Sequence, residues 1–334
     1  MALGLEKEFV FKDELIKYTY KKAVYSKENK LVIVFSAFST NGAPPQYSYM
    51  RTLEGIDVNQ LFILDGGARG FYYLGQAPDF NYEKGTIALI EKILKDNNIE
   101  KKDCICIGSS KGGWAALYFG IKLGLGYVIA GEPQVFIAKY LLYKNGKDVL
   151  DFITNENNCY HQIDNLLMEQ IKGKDINYMP HILVHAGSES YHYKEHIKAF
   201  IKEYPSEKLK LDIEEYSEHN ELIKYFPNLL VSNILKICTD ASSNLYIEQV
   251  DIKQKGNKFI CKVKGNEVYM SAWYVYRDTE LIFTRMYEKN NCLEYFASTA
   301  GKYRFRAFAS DIKGNKISEG TSVYVVNRGE NVNE

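Results

Sequence analysis

Residues 103–120, Asp103-Cys-Ile-Cys-Ile-Gly-Ser-Ser-Lys-Gly-Gly-Trp-Ala-Ala-Leu-Tyr-Phe-Gly120, decide how the chain is read. Cys104 to Ile107 is too short an apolar run for a helix and too rich in buried residue types for a loop, so it reads as an inner strand. Gly108-Ser109-Ser110-Lys111-Gly112 is a G-x-S-x-G, and Trp114 to Leu123 continues as an apolar helix. Strand, glycine-bracketed serine and helix make a nucleophile elbow, which holds a serine hydroxyl on a strained turn at the top of a parallel sheet. Ser110 is the nucleophile this pattern predicts.

Working outward, Leu31 to Phe35 is a β-branched run of the kind covered on both faces of a sheet. Leu61 to Leu64, Tyr127 to Ala130, His181 to His185 and Leu209 to Tyr216 are further strands, and Phe9 to Phe11 with Tyr18 to Ala23 read as edge strands. Helices are predicted over Thr86 to Lys95, Tyr191 to Tyr204 and about Asn220 to Cys238, with a kink at Pro227. Residues 134–180 read as an irregular helical cap over the site. Alternation of strand and helix over about 240 residues implies an α/β fold, a mostly parallel sheet with helices on both faces. Beyond a polar linker at Asp240 to Asn244 the texture changes. Phe259, Cys261 and Val263 alternate with lysines, and Tyr303, Phe305 and Ala307 with Arg304 and Arg306. With turn signals near Gly256, Gly265 and Gly314, residues 241–330 read as a small immunoglobulin-like β-sandwich following a catalytic domain of residues 1–240.

Lys plus Arg and Asp plus Glu balance at 42 each, which gives no charge with which to hold nucleic acid or an acidic membrane. No uncharged run approaches the roughly 20 residues that span a bilayer, and the first thirty residues carry charges rather than an apolar signal region. The expectation is a soluble, cytoplasmic protein. Six scattered cysteines without a C-x-x-C suggest neither a zinc site nor a disulfide framework.

A serine hydroxyl is a weak nucleophile until an imidazole, itself oriented by an acid, can take its proton. In hydrolase-type sheets these follow in the order Ser, acid, His. His219 sits directly after the last strand and is the expected base. Glu189, after the strand ending at His185, is the best-placed acid, with Glu132 and Glu218 as alternatives. The oxyanion donors are expected to be the Lys111 amide and that of Ser36 or Ala37. Arg69, in the glycine-rich run 65–70, is read as a substrate anchor and Trp114 as substrate-binding. His185 reads as a satisfied core residue, and His192 with His196 as a solvated helix face. No metal or bound cofactor is required, and the acyl donor is unspecified.

The block GSSKGGWAALYFG, with AGEPQ, HAGSES and EYSEHN downstream, resembles the catalytic domain of the accessory Sec system glycan acetyltransferases and the XcbB/CpsF-type capsular polysaccharide biosynthesis proteins. The resemblance covers roughly residues 30–240. It implies an α/β-hydrolase fold, carbohydrate O-acyl chemistry, a carbohydrate substrate, polysaccharide-biosynthesis proteins as partners, and Ser110, Glu189 and His219 at the triad positions. The chain departs from the secretion protein in carrying its β module at the C-terminus. The function expected is a serine-dependent O-acetyltransferase or esterase acting on a capsular or cell-surface glycan. A non-catalytic glycan-binding or assembly protein is the rival, and a peptidase or lipase the third reading.

Overall fold

The computed structural model describes residues 5–327 apart from 25, 27–28, 40–43, 67–69, 158, 240–244 and 279. The expected substrate anchor Arg69 and the linker at 240–244 therefore lie outside the described residues. The chain divides into two compact units, Met1–Leu222 and Ile223–Glu334.

The first unit is built on one eight-stranded sheet in the order β1-β2-β4-β3-β5-β6-β7-β8. β1 (Lys7–Phe11) and β2 (Glu14–Lys21) form an antiparallel hairpin whose second strand pairs antiparallel with β4 (Asn59–Ile63). From β4 onward every neighbour is parallel: β3 (Leu31–Phe35), β5 (Cys104–Ser109), β6 (Tyr127–Gly131), β7 (His181–Gly187) and β8 (Leu209–Glu214). β3 and β5 are buried along their whole length, the burial that continuous apolar runs require. Cys104 and Cys106 are fully buried free thiols that act as small apolar residues.

Helices α1 (Met50–Leu53), α2 (Asn81–Asn97) and α3 (Lys111–Leu123) connect these strands, and α2 starts a full turn earlier than its apolar spacing suggests. α3 packs on β3, β5 and β6, where Phe119 stacks on Phe35 at 5.2 Å between centroids. Burying each such ring contributes about 1.5–3 kcal/mol. The irregular stretch after β6 folds as α4 (Ile137–Tyr143), α5 (Lys147–Thr154) and α6 (Tyr160–Glu169). The helix expected at Tyr191 to Tyr204 carries a π turn over Tyr193–Ile197 before α7 (Lys198–Glu203).

The second unit opens with α8 (Leu222–Ile237), which runs through Pro227 as one helix. It belongs with the β module rather than with the parallel sheet, which moves the boundary upstream of the expected linker. The reason is Arg306, expected on the polar face of its strand but 3% exposed. Its guanidinium donates to the Asn228 carbonyl of α8 at 2.7 Å and to Ser318 Oγ at 2.8 Å, and burial pulls its pKa down to about 10. The module itself is antiparallel. β9 (Tyr246–Lys255), β10 (Lys258–Asn266) and β13 (Cys292–Phe296) make one sheet. β11 (Met270–Arg277), β12 (Glu280–Glu288), β14 (Gly301–Ser310), β15 (Lys316–Gly320) and β16 (Tyr324–Val326) make the other. Phe259, Cys261 and Val263 face Trp273, Tyr303 and Phe305 in their shared core, as the alternation predicts. Among the described residues no helix is long and apolar enough to cross a membrane.

Candidate active site

Ser110 stands between β5 and α3 with φ 56° and ψ −120°, a conformation that a non-glycine residue adopts only under constraint. The flanking glycines exist because the chain doubles back there. A Cβ on Gly108 would sit 2.2 Å from the Gly112 carbonyl oxygen, and one on Gly112 would sit 2.3 Å from that of Phe35. The Ser110 amide donates to the Gly131 carbonyl at 2.8 Å, tying the turn to the end of β6.

Its hydroxyl meets a residue that the sequence reading passed over. Gln134 Nε2 donates to Ser110 Oγ at 2.5 Å, and Tyr72 Oη donates to Gln134 Oε1 at 2.5 Å. Tyr72 and Tyr73 both have positive φ, 59° and 60°. Asp65, fully buried, sustains that strain by accepting the Phe71 and Tyr73 amides, each at 2.9 Å, and the Lys111 ammonium at 2.6 Å. Burial lowers the Lys111 pKa while the Asp65 charge holds it up. Asp65, Gly70, Lys111, Ser36 and Ala37 line a small hollow next to the elbow. Asp65→Asn would leave a buried ammonium unpaired, which costs about 3 kcal/mol or more. At roughly 2–4 °C per kcal/mol for a unit of this size, calorimetry should record a Tm lower by about 6–12 °C, and the added Lys111→Met should restore most of it.

His219 lies in a short 3-10 turn after β8, its side chain 38% exposed. The carboxylate on it is Glu132, whose Oε2 is 2.7 Å from His219 Nδ1. Glu132 follows β6, is fully buried, and accepts the Gly187 amide on Oε1 at 3.0 Å. Burial pushes its carboxyl pKa up, but the bonds from His219, Ser190 and the Gly187 amide outweigh that, and the net value falls below the usual range. The sequence reading put Glu189 on the histidine; the structure corrects this. Glu189 is exposed and paired with Lys194 at 2.7 Å, because its peptide bonds back to Tyr216 at the rim and its side chain turns to solvent. Glu218 is exposed.

The other expected residues separate in the same way. Trp114 is not substrate-facing: it is fully buried, stacked on Tyr118 at 4.6 Å and edge-on to Tyr72 at 5.6 Å. The Ser36 amide is engaged by the buried Tyr73 hydroxyl at 2.5 Å, and that of Ala37 by Ser48 Oγ at 3.1 Å. Lys111 is the first residue of α3, where an amide has no partner within its own helix. His185 is a core residue as expected, bonded through Nδ1 to Asp212 at 2.6 Å and through Nε2 to Tyr216 at 3.1 Å. His192 and His196 are buried rather than solvated, and His192 stacks on His219 at 4.2 Å. Burial first, then the neighbouring His219, pushes the His192 pKa down to about 3.

A mostly parallel α/β sheet with helices between its strands is a fold this chain shares with solved structures of an O-acetyltransferase and a serine hydrolase. The capsule O-acetyltransferase of Neisseria meningitidis serogroup A is similar to this chain, with a TM-score of 0.57 and 25% identity over 68% of this chain and 93% of that one. FphF, a fluorophosphonate-binding serine hydrolase of Staphylococcus aureus, shares the fold at TM-score 0.51 and 13% identity, covering 71% of this chain and 97% of that one. In sequence, an accessory Sec system protein of Staphylococcus aureus is 34% identical over 101 residues, 27% of this chain. The match spans 19% of that secretion protein. No family model matches the chain.

Proposed function

We propose that the protein is a serine-dependent acyl enzyme acting on carbohydrate, moving an acetyl group onto or off a hydroxyl of a capsular or cell-surface glycan. The observation that carries this is the Glu132–His219 pair, held at the same end of the sheet that presents Ser110 in its strained turn. Glu132 fixes the proton on His219 Nδ1, leaving Nε2 to take the proton of Ser110 as its oxygen attacks the acyl carbonyl. The Lys111 amide receives the negative charge that develops on the carbonyl oxygen. Ala37 joins it once Ser48 yields, and Gln134 Nε2, already on Ser110 Oγ, supplies a side-chain donor. His219 then returns the proton to the leaving group. A sugar hydroxyl or water, activated by the same imidazole, releases the acetyl group.

The glycan as acceptor is supported by the likeness to the meningococcal capsule O-acetyltransferase, and polysaccharide-biosynthesis proteins are the partners we propose on the same ground. The C-terminal module we read as immunoglobulin-like, since Tyr303 Oη donates to the Thr299 carbonyl at 2.6 Å, a tyrosine-corner contact, beside the buried Trp273.

Incubation with acetyl esters and thioesters, followed by quenching and mass spectrometry of the peptide containing Ser110, tests the reading. An acetyl adduct on that peptide, discharged by added oligosaccharide or water, is expected. Glycan binding without any adduct would establish the rival, a non-catalytic glycan-binding protein. Gln134→Leu should lower kcat by about 10²-fold, the effect of losing one oxyanion donor, with the fold intact by circular dichroism.

A further inference from the structure

His192 carries two polar atoms that the acyl mechanism leaves idle. The residue is 2% exposed, and both Nδ1 and Nε2 are buried without a hydrogen-bond partner. A neutral imidazole has one donor and one acceptor, and leaving both unmet in the interior is costly. His192 Nδ1 lies 3.4 Å from Glu132 Oε2, the oxygen that also meets His219 Nδ1. One carboxylate oxygen of Glu132 and one nitrogen of each histidine all lie within 4.8 Å of one another. Three chain segments converge to make this cluster, from the ends of β6 and β8 and from the start of the helix after β7, so no sequence spacing announces it.

Two imidazoles and a carboxylate are the ligand set of many zinc sites that keep a fourth position open to water. Ligand atoms about 2.0–2.1 Å from a tetrahedral zinc ion stand about 3.3–3.4 Å from each other. The Glu132–His192 spacing already fits. The 2.7 Å Glu132–His219 bond must open by about 0.6–0.7 Å to reach that spacing, and His219 is the exposed and therefore movable member. We propose that Glu132, His192 and His219 form a binding site for a divalent transition-metal ion, zinc foremost, whose occupation replaces the proton shared by Glu132 and His219. Binding needs His219 Nδ1 as a lone pair, so the imidazole proton moves to Nε2, the atom that must accept from Ser110. Metal binding and base function exclude each other, and the ion acts as a reversible off-switch. The switching rests on the proposed function; the occupation does not.

Zinc titration of the full chain against a chromophoric chelator, run beside fluorophosphonate labelling, tests both parts. Wild type and Ser110→Ala should bind one equivalent, and His192→Phe, which keeps a ring against His219, should bind at least about tenfold more weakly, the loss already incurred when only an outer-shell partner is removed. Zinc should slow wild-type labelling, reversibly on chelation, and slowing His192→Phe labelling to the same extent should take at least about tenfold more zinc. Equal zinc affinity in wild type and His192→Phe, or in His192→Gln if the phenylalanine variant fails to fold, overturns the site. Occupied wild type that labels at the zinc-free rate overturns the switch. If the zinc-free protein does not label at all, the acyl reading fails while the titration still decides the metal site.

Discussion

Ser110→Ala is expected to abolish fluorophosphonate labelling and to lower kcat for a small acetyl ester by about 10⁶-fold, the loss found when a triad nucleophile is removed. The size follows from the mechanism's lack of a substitute. Ser109, the neighbouring hydroxyl, is bonded to Tyr49 Oη at 2.6 Å and ends β5 rather than occupying the turn. The thermal midpoint should stay within a few degrees, because alanine at φ 56° bears the strain that serine already bears, and the turn is held by the Ser110 amide rather than by its side chain. A variant that retains labelling would place the nucleophile elsewhere. A variant that loses both labelling and cooperative melting would show that Gln134, stripped of its Ser110 partner, is structural; Ser110→Cys, which keeps an acceptor for Gln134, would then separate chemistry from folding.

Much of this site was open to the sequence because local pattern and tertiary position coincide there. The glycines at 108 and 112 are demanded by backbone contacts that any such turn makes, so the motif and its geometry are one fact. His219 follows from strand order, since in this topology the histidine comes after the last strand and His219 is the one histidine beyond β8. The acid does not follow. Glu132, Glu189 and Glu218 all occupy loops at the correct end of the sheet, and a one-dimensional reading cannot tell which carboxylate is turned inward. Glu132 is, because residue 132 has φ 42° and its amide is pinned to the His185 carbonyl at 2.8 Å. His192 and His196 were misread for a related reason. Their spacing of four fits a solvated helix face, but the π turn beginning at Tyr193 sets them against Tyr140 and Tyr191 instead. Arg306 shows the same limit in the β module, where alternation marks a residue as outward without saying that a helix covers that face.

Glu132→Gln is expected to lower kcat by about 10⁴-fold with KM little changed, whereas Glu189→Gln should stay within about twofold of wild type. Glutamine is nearly isosteric with glutamate and can still accept the Gly187 amide. Its amide nitrogen, however, donates where the carboxylate accepted, so it favours the His219 tautomer with the lone pair on Nδ1. The proton is then on Nε2, and the imidazole cannot serve as base toward Ser110. The carboxylate also stabilises the imidazolium that forms during attack, and a neutral amide does not. Glu189 has no comparable task, since an exposed ion pair with Lys194 contributes little to stability and touches neither Ser110 nor His219. The acid limb supplies a second readout. The folded pKa of Glu132 lies below its unfolded value of about 4.3, so its charge stabilises the fold above that pH and ceases to do so as pH falls through the folded value. The gap in Tm between wild type and Glu132→Gln should therefore narrow on acidification, while that for Glu189→Gln stays small throughout. A 10⁴-fold loss in Glu189→Gln with activity kept in Glu132→Gln would instead mean that the loop carrying Glu189 turns inward when substrate binds, and that Glu132 only shapes the floor of the site.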